Sequence, residues 1–524
     1  MHARKLLAGL ATAAVAASGI ALTAAPAQAA VQPNDTTFAP VAADLVGMGS
    51  DTTQEVVKAA ADAYNATQPA SRVATYQAGT GDTVAIPSGS TNRVNGSGDG
   101  KKLLYGTGNV ADIDFARSSS GLNTAEVGAG LQAFPFALDT IQIAKAATSN
   151  APDTLTGAQI LAIYERVDAE GDPVNSWDDL GFTSTAAITA YIPQAGSGTR
   201  SFFEGELTKL NGGTAVSTTG LPTTQEHSVA DIQGNPNAVV PFSAGRAARA
   251  PQVKLAAGWK ADRAVYNVVR GSDIGKPEVQ DVFGTGGFLC STEAKPLIEG
   301  AGFKQFATPA KGGVCGTTTQ AATTDFDLND ATPVDTTTAV AVASDAAGKA
   351  RITAKIAGGT TPSGSVSFFK ADGTVLSRNV AVAGGQASFS VDSALGAQNF
   401  RAVYRPAAGT NFKSSQGTGV GTVKTSSTLK VTFPKKAAKA GKKVKGTVKV
   451  TLAGVSSKAT GTVKVLKGKK TIARVKLVNG KAKITLKKGL KSGVNKLKVV
   501  WSGDANAVGS QKAAKVKVAK AKKK

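Results

Sequence analysis

The spacing of apolar residues divides the chain into two parts of different character. Residues 31–315 mix short apolar runs with amphipathic stretches, and glycine-rich turns separate them. A strand-like run ends at residues 45–47, and residues 52–64 follow with apolar side chains at helical spacing. Strands that alternate with helices predict an α/β region here.

Beyond residue 337, apolar and polar residues alternate with a period of two, and the segment occurs twice. Gly364-Ser-Val-Ser-Phe-Phe-Lys is echoed by Gly461-Thr-Val-Lys-Val-Leu-Lys, and Tyr404 by Trp501, at offsets of 97 residues. A repeat of this length, built of strands and turns, has the size of one β-sandwich domain. The two copies resemble the immunoglobulin-like repeats of bacterial exported proteins, and the resemblance covers about 334–519.

The first thirty residues are typical of an export signal. Arg4 and Lys5 form a charged start, residues 6–25 an apolar run, and Ala27-Gln28-Ala29 a small-residue cleavage site. A membrane-spanning helix is the alternative, but the run ends at Pro26 in a cleavage pattern. We therefore expect cleavage after Ala29 and a secreted or envelope-associated protein. Since no cysteine follows the cleavage site, we do not expect a lipid anchor.

These patterns predict a multidomain chain, for which we expect six segments. They are a signal peptide at 1–29, an α/β domain at 30–320, a Thr-, Ala- and Asp-rich linker at 321–333, immunoglobulin-like domains at 334–424 and 425–519, and a basic tail at 520–524.

The two cysteines, Cys290 and Cys315, lie 25 positions apart. In an oxidising compartment such a pair is most simply a disulfide. A reactive thiol is the less favoured alternative, because no basic cluster accompanies either residue.

Charge is distributed very unevenly along the sequence. Of 60 Lys and Arg residues, 30 lie in residues 421–524, whereas only one of the 36 acidic residues, Asp504, does. The net charge of +24 is therefore +29 on this segment and −5 on the rest. In residues 444–452 and 481–486, lysines alternate with apolar residues, so that one strand face packs and the other carries ammonium groups.

Two interpretations of this lysine face remain open. Lysines solubilise a sheet and protect its edges from aggregation. They also form a surface for a polyanion, and anionic cell-wall polymers or surface lipids are then better candidates than nucleic acid, because aromatic interleaving is scarce.

The scarcity of histidine limits the chemistry available to this chain. Of the two histidines, His2 lies in the predicted signal peptide, which leaves His227 alone. Multi-histidine metal sites are thus excluded. We expect no metal, no cofactor and no enzymatic activity, since Ser197 lacks a nucleophile-elbow pattern. His227 itself is predicted to be an ordinary loop residue.

Three turns share glycine and hydroxyl residues immediately before predicted helices. They are Gly47-Met-Gly-Ser-Asp-Thr-Thr-Gln, Asn95-Gly-Ser-Gly-Asp-Gly-Lys-Lys and Gln194-Ala-Gly-Ser-Gly-Thr-Arg-Ser. Glycine admits close approach of a ligand, hydroxyls donate hydrogen bonds, and helix N-termini attract anions, so the turns suit a tetrahedral oxyanion. Capping boxes, Thr52 with Glu55 and Ser201 with Glu204, are the alternative for any single turn.

The order of these motifs resembles the phosphate-binding proteins of phosphate ABC transporters, which have a two-lobed periplasmic-binding-protein fold. A further segment, Asp114-Phe-Ala-Arg-Ser-Ser, a hinge-strand pattern from Phe134, and Leu155-Thr-Gly-Ala-Gln-Ile-Leu-Ala-Ile-Tyr followed by Trp177-Asp-Asp-Leu occur in the family's order. The resemblance covers about 45–320. It implies an anion site formed by Ser97, Ser118, Ser197, Gly198 and Thr199, closed from the other lobe by Ser50, Asp51 and Thr52.

Two positions depart from the family pattern. Ser119 stands where the resemblance implies a proton-accepting carboxylate, and Pro193 where it implies an arginine. Arg117 and Arg200 are candidates to restore the positive charge, although each is equally typical of a surface ion pair. Asp51 or Asp99 could restore the acceptor. Tyr164 and Trp177 are predicted to pack in the core.

We therefore expect an exported binding protein that captures an inorganic oxyanion, most simply phosphate, and delivers it to an ABC transporter permease. The alternative is an envelope adhesin or scaffold whose lysine-rich domain binds anionic wall polymers. The absence of an expected lipid anchor favours the alternative, whereas the order of the six motifs favours the first.

Overall fold

The computed structural model describes residues 32–487 and 489–520. The predicted signal peptide, its cleavage site and His2 lie outside the described residues, as does most of the basic tail. Among the described residues, no helix is both long and apolar enough to span a bilayer.

The α/β part alternates strands and helices, as the sequence predicts. Its strands are β1 (Leu45–Gly49), β2 (Val73–Thr75), β3 (Thr83–Ile86), β4 (Gly89–Asn92), β5 (Phe115–Ser118), β6 (Leu131–Ala146), β7 (Thr154–Leu155), β8 (Thr189–Ala190), β9 (Ile192–Pro193), β10 (Thr223–Thr224), β11 (Ala238–Ser243), β12 (Val253–Leu255), β13 (Ala257–Gly258), β14 (Ala261–Arg270) and β15 (Lys304–Gln305). Its helices are α1 (Gln54–Ala66), α2 (Ser97–Lys102), α3 (Thr124–Gly128), α4 (Gly157–Glu165), α5 (Gly198–Leu210), α6 (Ala230–Gln233), α7 (Ala244–Ala247), α8 (Pro277–Phe283) and α9 (Lys295–Gly300).

One sheet runs through the whole α/β part, in the order β2-β1-β5-β14-β6-β11-β8, and β12 and β15 also pair with β6. The long strand β6 connects two lobes. Its first half pairs with β14 beside β5, and its second half pairs with β11. We call residues 32–138 and 264–320 lobe 1, and residues 139–263 lobe 2.

Each lobe has its own hydrophobic core. In lobe 1, helix α1 buries Val56, Val57, Ala60, Ala61 and Tyr64, the residues that the helical spacing predicts. In lobe 2, Tyr164 and Trp177 are fully buried, which confirms their predicted packing role. The two cores are separate, and within the described residues the chain passes between the lobes along β6 and β14.

Two β-sandwiches follow, and they share one topology. The first β region consists of β16 (Thr337–Ala346), β17 (Lys349–Ala357), β18 (Gly364–Lys370), β19 (Val375–Ala381), β20 (Gln386–Asp392), β21 (Gly396–Pro406) and β22 (Ser415–Val423). The second β region consists of β23 (Ser427–Thr432), β24 (Val444–Leu452), β25 (Thr462–Lys467), β26 (Lys470–Lys476), β27 (Lys481–Leu486), β28 (Gly493–Gly503) and β29 (Val508–Val518). In each region a three-stranded sheet faces a four-stranded one, with equivalent strand orders. The predicted fold class, an α/β two-lobed part followed by two immunoglobulin-like sandwiches, is confirmed.

The predicted linker packs against lobe 1. Phe326 stacks on Phe306 with ring centroids 6.0 Å apart, and Phe306 also pairs with Leu328 through the backbone. The backbone N–H of Thr323 donates to the hydroxyl of Tyr266. These contacts attach the segment to the α/β part, although its Thr-rich composition gives little indication of apolar packing.

The first β region contacts lobe 1 through polar side chains. Arg378 donates to the backbone carbonyl of Gln68 at 2.6 Å, and Glu293 accepts from the backbone N–H of Ser414 at 3.0 Å. Arg401 bonds to the side chain of Gln68. Gln68 and Glu293 both belong to lobe 1.

Cys290 and Cys315 form a disulfide inside the lobe 1 core, as predicted. Substitution of both by serine should lower the free energy of unfolding by about 3 kcal/mol, because the closed loop no longer restricts the unfolded chain. Urea unfolding of the parent and the double variant measures the change. Under reducing conditions the two proteins should unfold at the same urea concentration; a difference that persists would assign the loss to packing instead.

Candidate functional site

The three glycine-rich turns converge where the two lobes meet. The turn before α1 and the N-terminus of α2 come from lobe 1, and the N-terminus of α5 comes from lobe 2. The backbone N–H of Gly98 donates to the carbonyl of Gly196 at 3.0 Å, which brings two of the turns into direct contact. The hydroxyl residues at this junction are at most 1% exposed: Ser50, Thr52, Ser97, Ser119, Ser197 and Thr199. The lobes are therefore closed on one another.

The carboxylate of Glu226 occupies the centre of this junction. Its Oε1 accepts from the hydroxyl of Thr52 at 2.6 Å, the hydroxyl of Ser119 at 3.4 Å and the backbone N–H of Thr199 at 3.2 Å. The hydroxyl of Thr199 donates to the same oxygen. Thr52 and Ser119 belong to lobe 1, and Thr199 and Glu226 to lobe 2. One negatively charged oxygen thus collects donors from both lobes, as a bound oxyanion does.

Arg263 supplies the positive charge beside this oxygen. Arg263 on β14 is the register partner of Asp139 on β6. Its guanidinium donates to the Asp139 carboxylate at 2.8 and 3.0 Å. It also donates to the hydroxyl of Thr199 at 2.8 Å, while its Nη1 is buried without a hydrogen-bond partner. Ser243 donates to the other oxygen of Asp139 at 2.5 Å. A buried guanidinium with a free N–H next to an anion site is a ready donor for an oxyanion.

His227 lies on the other side of the carboxylate, and its side chain is fully buried. Burial lowers the pKa of His227 to about 3, so the imidazole is neutral at physiological pH. Both ring nitrogens lack hydrogen-bond partners, and the backbone adopts a left-handed φ of 57°. Such φ values are uncommon for residues with a side chain and cluster at functional sites. The prediction of an ordinary loop residue is wrong, because the chain turns His227 into the interior.

Asp51 adds a second acid to the cluster. Its Oδ2 lies 3.6 Å from Nδ1 of His227, and its Oδ1 has no hydrogen-bond partner. Burial raises the pKa of Asp51 to about 6, although the positive charges of Arg246 and Arg263 oppose the shift. A carboxyl group with this pKa exchanges a proton near neutral pH.

Glycine is required at position 198 because the pocket leaves no room for a side chain. A Cβ there would lie 2.3 Å from the hydroxyl oxygen of Ser97 and 2.4 Å from that of Ser119. The first turn of α5 can therefore approach the lobe 1 hydroxyls only without a Cβ.

The structure brings together most of the residues that the sequence singles out. Ser50 and Ser97 both contact the hydroxyl of Ser119, at 3.1 and 3.2 Å. Ser197 caps α5 by accepting from the backbone N–H of Arg200 at 3.0 Å. The residues that line the junction are Ser50, Asp51, Thr52, Ser97, Ser119, Ser197, Gly198 and Thr199.

Three expected ligand residues point elsewhere. Ser118 donates within its own turn, to the carbonyl of Ser120. The guanidinium of Arg117 bonds to the carbonyl oxygens of Gly49 and Ser50 and so supports the first turn, and burial lowers its pKa to about 9. Arg200 reaches away from the junction to Glu204 and Thr218. Ser118 and Arg200 face away because successive residues of a strand or of a helix point in different directions, whereas the guanidinium of Arg117 is held by the backbone of the first turn.

The capping interpretations also need correction. Helix α1 starts after Thr53 without a side-chain cap, and α5 is capped by Ser197, so neither Thr52 with Glu55 nor Ser201 with Glu204 forms a capping box. Thr52 instead uses its hydroxyl on Glu226.

Two charged residues that the sequence motifs did not indicate, Glu226 and Arg263, lie at this junction. The carboxylate that contacts Ser119 belongs to Glu226, which was not one of the two predicted acceptors, Asp51 and Asp99. Asp99 pairs instead with Lys102 at the surface. Arg263 brings the guanidinium that Pro193 cannot. For Arg263 the available signal was a charged residue within β14, a strand of otherwise largely apolar character, where a charge is costly unless it is paired; Glu226 lies in a turn and carries no such signal.

The same cluster contains the atoms that a metal ion would use. Within residues 32–487 and 489–520, Asp51, Glu226 and His227 offer donor atoms that all lie within 4.8 Å of one another. However, Oε1 of Glu226 already accepts four hydrogen bonds, and the charges of Arg246 and Arg263 oppose a cation. The hydrogen-bond donors that converge here suit an oxyanion or a shared proton better than a metal ion.

Comparison with known proteins assigns part of the chain. The family profile "Bacterial Ig-like domain (group 3)" matches residues 431–519, within the second β region and its C-terminal end. None of the curated proteins matches this chain.

Similar solved structures include an ABC-type phosphate transport receptor from Vibrio cholerae. The two sequences are 20% identical, the match covers 50% of this chain and 99% of the receptor chain, and the TM-score is 0.36. A possible phosphate-binding protein from Planctomyces limnophilus is 15% identical, with coverages of 52% and 95% and a TM-score of 0.32. Fibronectin(III)-like modules of Clostridium thermocellum CbhA are 21% identical, with coverages of 34% and 94% and a TM-score of 0.24. Both expected resemblances, to phosphate-binding proteins and to bacterial immunoglobulin-like repeats, occur among these matches. The fold assignment itself rests on the sheet topology.

Asp51 should make the stability of the α/β part depend on pH. Its folded pKa of about 6 exceeds the ordinary value of 3.8, so its contribution is fully present below pH 4 and is lost as pH rises through 6. Asp51→Asn, which mimics the protonated acid, should match the parent at pH 4 and exceed it by up to about 3 kcal/mol at pH 7. Calorimetric unfolding at both pH values tests this. Asp99→Asn, an exposed control, should show no such gain; an equal gain in both variants would contradict the assignment to Asp51.

Proposed function

We propose that this protein is an exported solute-binding protein that captures an inorganic oxyanion between its two lobes, with phosphate as the first candidate. The observation that supports the proposal is the convergence of four hydrogen bonds from Thr52, Ser119 and Thr199 on one buried carboxylate oxygen. Donors from loops and a helix N-terminus, in a site closed to solvent, replace the water around an anion without any covalent chemistry.

Glu226 acts in this proposal as an internal anion that holds the donors when no ligand is present. An entering oxyanion takes over the hydrogen bonds from Thr52, Ser119 and Thr199, and the Glu226 carboxylate withdraws from them. The free Nη1 of Arg263 provides a further donor to the ligand. Because Glu226 also links lobe 1 to lobe 2, its exchange for a ligand preserves the closed arrangement.

The two carboxylates beside the site favour an oxyanion that carries a proton. Glu226 and Asp51 would repel a fully ionised anion such as sulfate, whereas a protonated phosphate can donate its proton to one of them. Arg263 offsets part of this negative charge but is itself paired with Asp139. Phosphate therefore fits the charges of the site better than sulfate does.

Location and partners follow from other parts of the chain. The disulfide and the predicted signal peptide support an extracytoplasmic location. Delivery to an ABC transporter permease is supported by the order of the sequence motifs and completes the proposal. No step of capture or delivery requires an enzymatic reaction or a cofactor.

Removal of one donor should weaken the binding of phosphate to the full-length protein. Thr199→Val keeps the shape of the side chain but removes a hydroxyl, and a lost hydrogen bond to a charged group should raise the Kd about 10- to 100-fold. Thermal shifts and isothermal titration with phosphate measure the change. Ser118→Ala is the matched control and should bind like the parent, since its hydroxyl stays within its own turn. If phosphate stabilises neither the parent nor the control, Glu226 fills the site permanently and the proposal fails.

Neutralisation of Glu226 should alter the choice between anions. Glu226→Gln retains the volume but removes the negative charge, so sulfate should gain affinity relative to phosphate by about tenfold or more, because like charges in contact cost several kcal/mol. Parallel titrations of both anions into parent and variant give the ratio. Glu204→Gln, on the outer side of α5, is the control. An unchanged ratio in Glu226→Gln would show that this carboxylate does not select the ligand.

A further inference from the structure

The outward face of one sheet in the second β region is made of only two residue types. The sheet consists of β23, β24 and β27, and its inward positions are buried or partly buried. Its outward side chains are all lysine or threonine: Thr428, Lys430, Thr432, Lys445, Thr447, Lys449, Thr451, Lys481, Lys483 and Thr485. We call this surface the Lys/Thr face. It shares no residue with the anion site between the lobes.

Three of these lysines stand side by side across the sheet. Lys430 is the register partner of Lys449, and Lys449 is the register partner of Lys481. Neighbouring strands lie about 4.8 Å apart, so three ammonium groups form one row. Like charges directly opposite each other destabilise a sheet. The row therefore costs stability unless a negative charge from outside covers it.

No acid of the second β region can supply that charge. Asp504 is the single acidic residue in positions 421–524. Its carboxylate accepts hydrogen bonds from Thr460, Asn506 and Ala507, at the end of the other sheet. Among the described residues, Lys430, Lys449 and Lys481 form no ion pair with any acid of the chain, so the row is open to a negatively charged partner.

The first β region shows that the fold does not require such a row. In its equivalent sheet, the row that corresponds to Lys430, Lys449 and Lys481 consists of Ala339, Lys355 and Gln386, with a single lysine. Two of the other cations on this sheet are paired with acids, Lys349 with Asp392 at 2.8 Å and Arg351 with Asp345 at 3.2 Å. Solubility and edge protection are thus achieved there without neighbouring lysines.

The lysine row opens into a groove of about 720 Å³. Lys476 and the exposed Val478 border it beside the row. Its lining contains lysine, threonine, valine and alanine and no aromatic residue. A groove admits a chain, whereas a bilayer surface meets a flat or convex face. Stacking of nucleic-acid bases needs aromatic side chains, which this lining lacks.

We propose that the Lys/Thr face binds a linear phosphate polymer, with successive phosphates along the row of Lys430, Lys449 and Lys481. Lysine binds phosphate as a point charge, and the threonine hydroxyls provide neutral donors beside it. Anionic phosphodiester polymers of a cell wall and free inorganic polyphosphate share this chemistry.

The test compares two triple variants of the full-length protein that lose the same charge. Lys430→Thr/Lys449→Thr/Lys481→Thr removes the row and introduces a residue type already present on the face. Lys498→Thr/Lys512→Thr/Lys517→Thr is the control, since these exposed lysines lie on the other sheet, each opposite an uncharged residue. Fluorescence anisotropy with labelled long-chain polyphosphate and with poly(glycerol phosphate) measures affinity over a range of salt concentrations. The two probes separate the free and the wall-type source of the ligand.

Loss of the row should weaken binding about 100-fold and lower the salt slope of log K by about two, whereas the control should change the Kd less than tenfold. The row variant should also melt at a higher temperature than the parent without ligand, and polyphosphate should raise the melting temperatures of the parent and of the control more than that of the row variant. Equal weakening of both variants, or tighter binding of duplex DNA or phosphatidylglycerol vesicles at equal charge concentration, would overturn the proposal.

Discussion

The buried pair between Arg263 and Asp139 is the interaction around which the α/β part is organised. The two residues face each other on β14 and β6, the strands that carry continuous structure between the lobes. Ser243 on β11 and Thr199 on α5 bond to the same pair. Removal of one partner of such a pair leaves an uncompensated buried charge, which typically costs 3–5 kcal/mol. The pair therefore fixes both the pairing of the two strands at this point and the position of the Arg263 guanidinium near Glu226.

Much of the architecture could be predicted from the sequence because it depends on local spacing. The helical positions of Val56, Val57 and Tyr64, the repeated β-sandwich and the turns that donate hydroxyls all follow from period and composition. The orientation of single side chains does not. Ser118 and Ser119 are adjacent and chemically alike, yet only Ser119, the first residue after β5, contacts Glu226, whereas Ser118 donates to the carbonyl of Ser120.

The charged residues Glu226 and Arg263 could not be found by aligning motifs. Glu226 and Arg263 lie 27 and 64 positions beyond Thr199, and only the folded chain brings them to it. A cavity that loses a carboxylate at one position and regains it from another loop keeps its electrostatics while its sequence signature changes. The charged residues inside apolar strands, Asp139 and Arg263, are the feature that a sequence reader can use.

The contacts between lobe 1 and the first β region determine which part of the molecule can move. Gln68 and Glu293, which bond to that region, both belong to lobe 1, and the packed segment around Phe326 adds to the same attachment. These contacts hold lobe 1 and the first β region together. In the proposed capture of an oxyanion the lobes must separate to admit the ligand, and lobe 2 would then move relative to a unit formed by lobe 1 and the first β region.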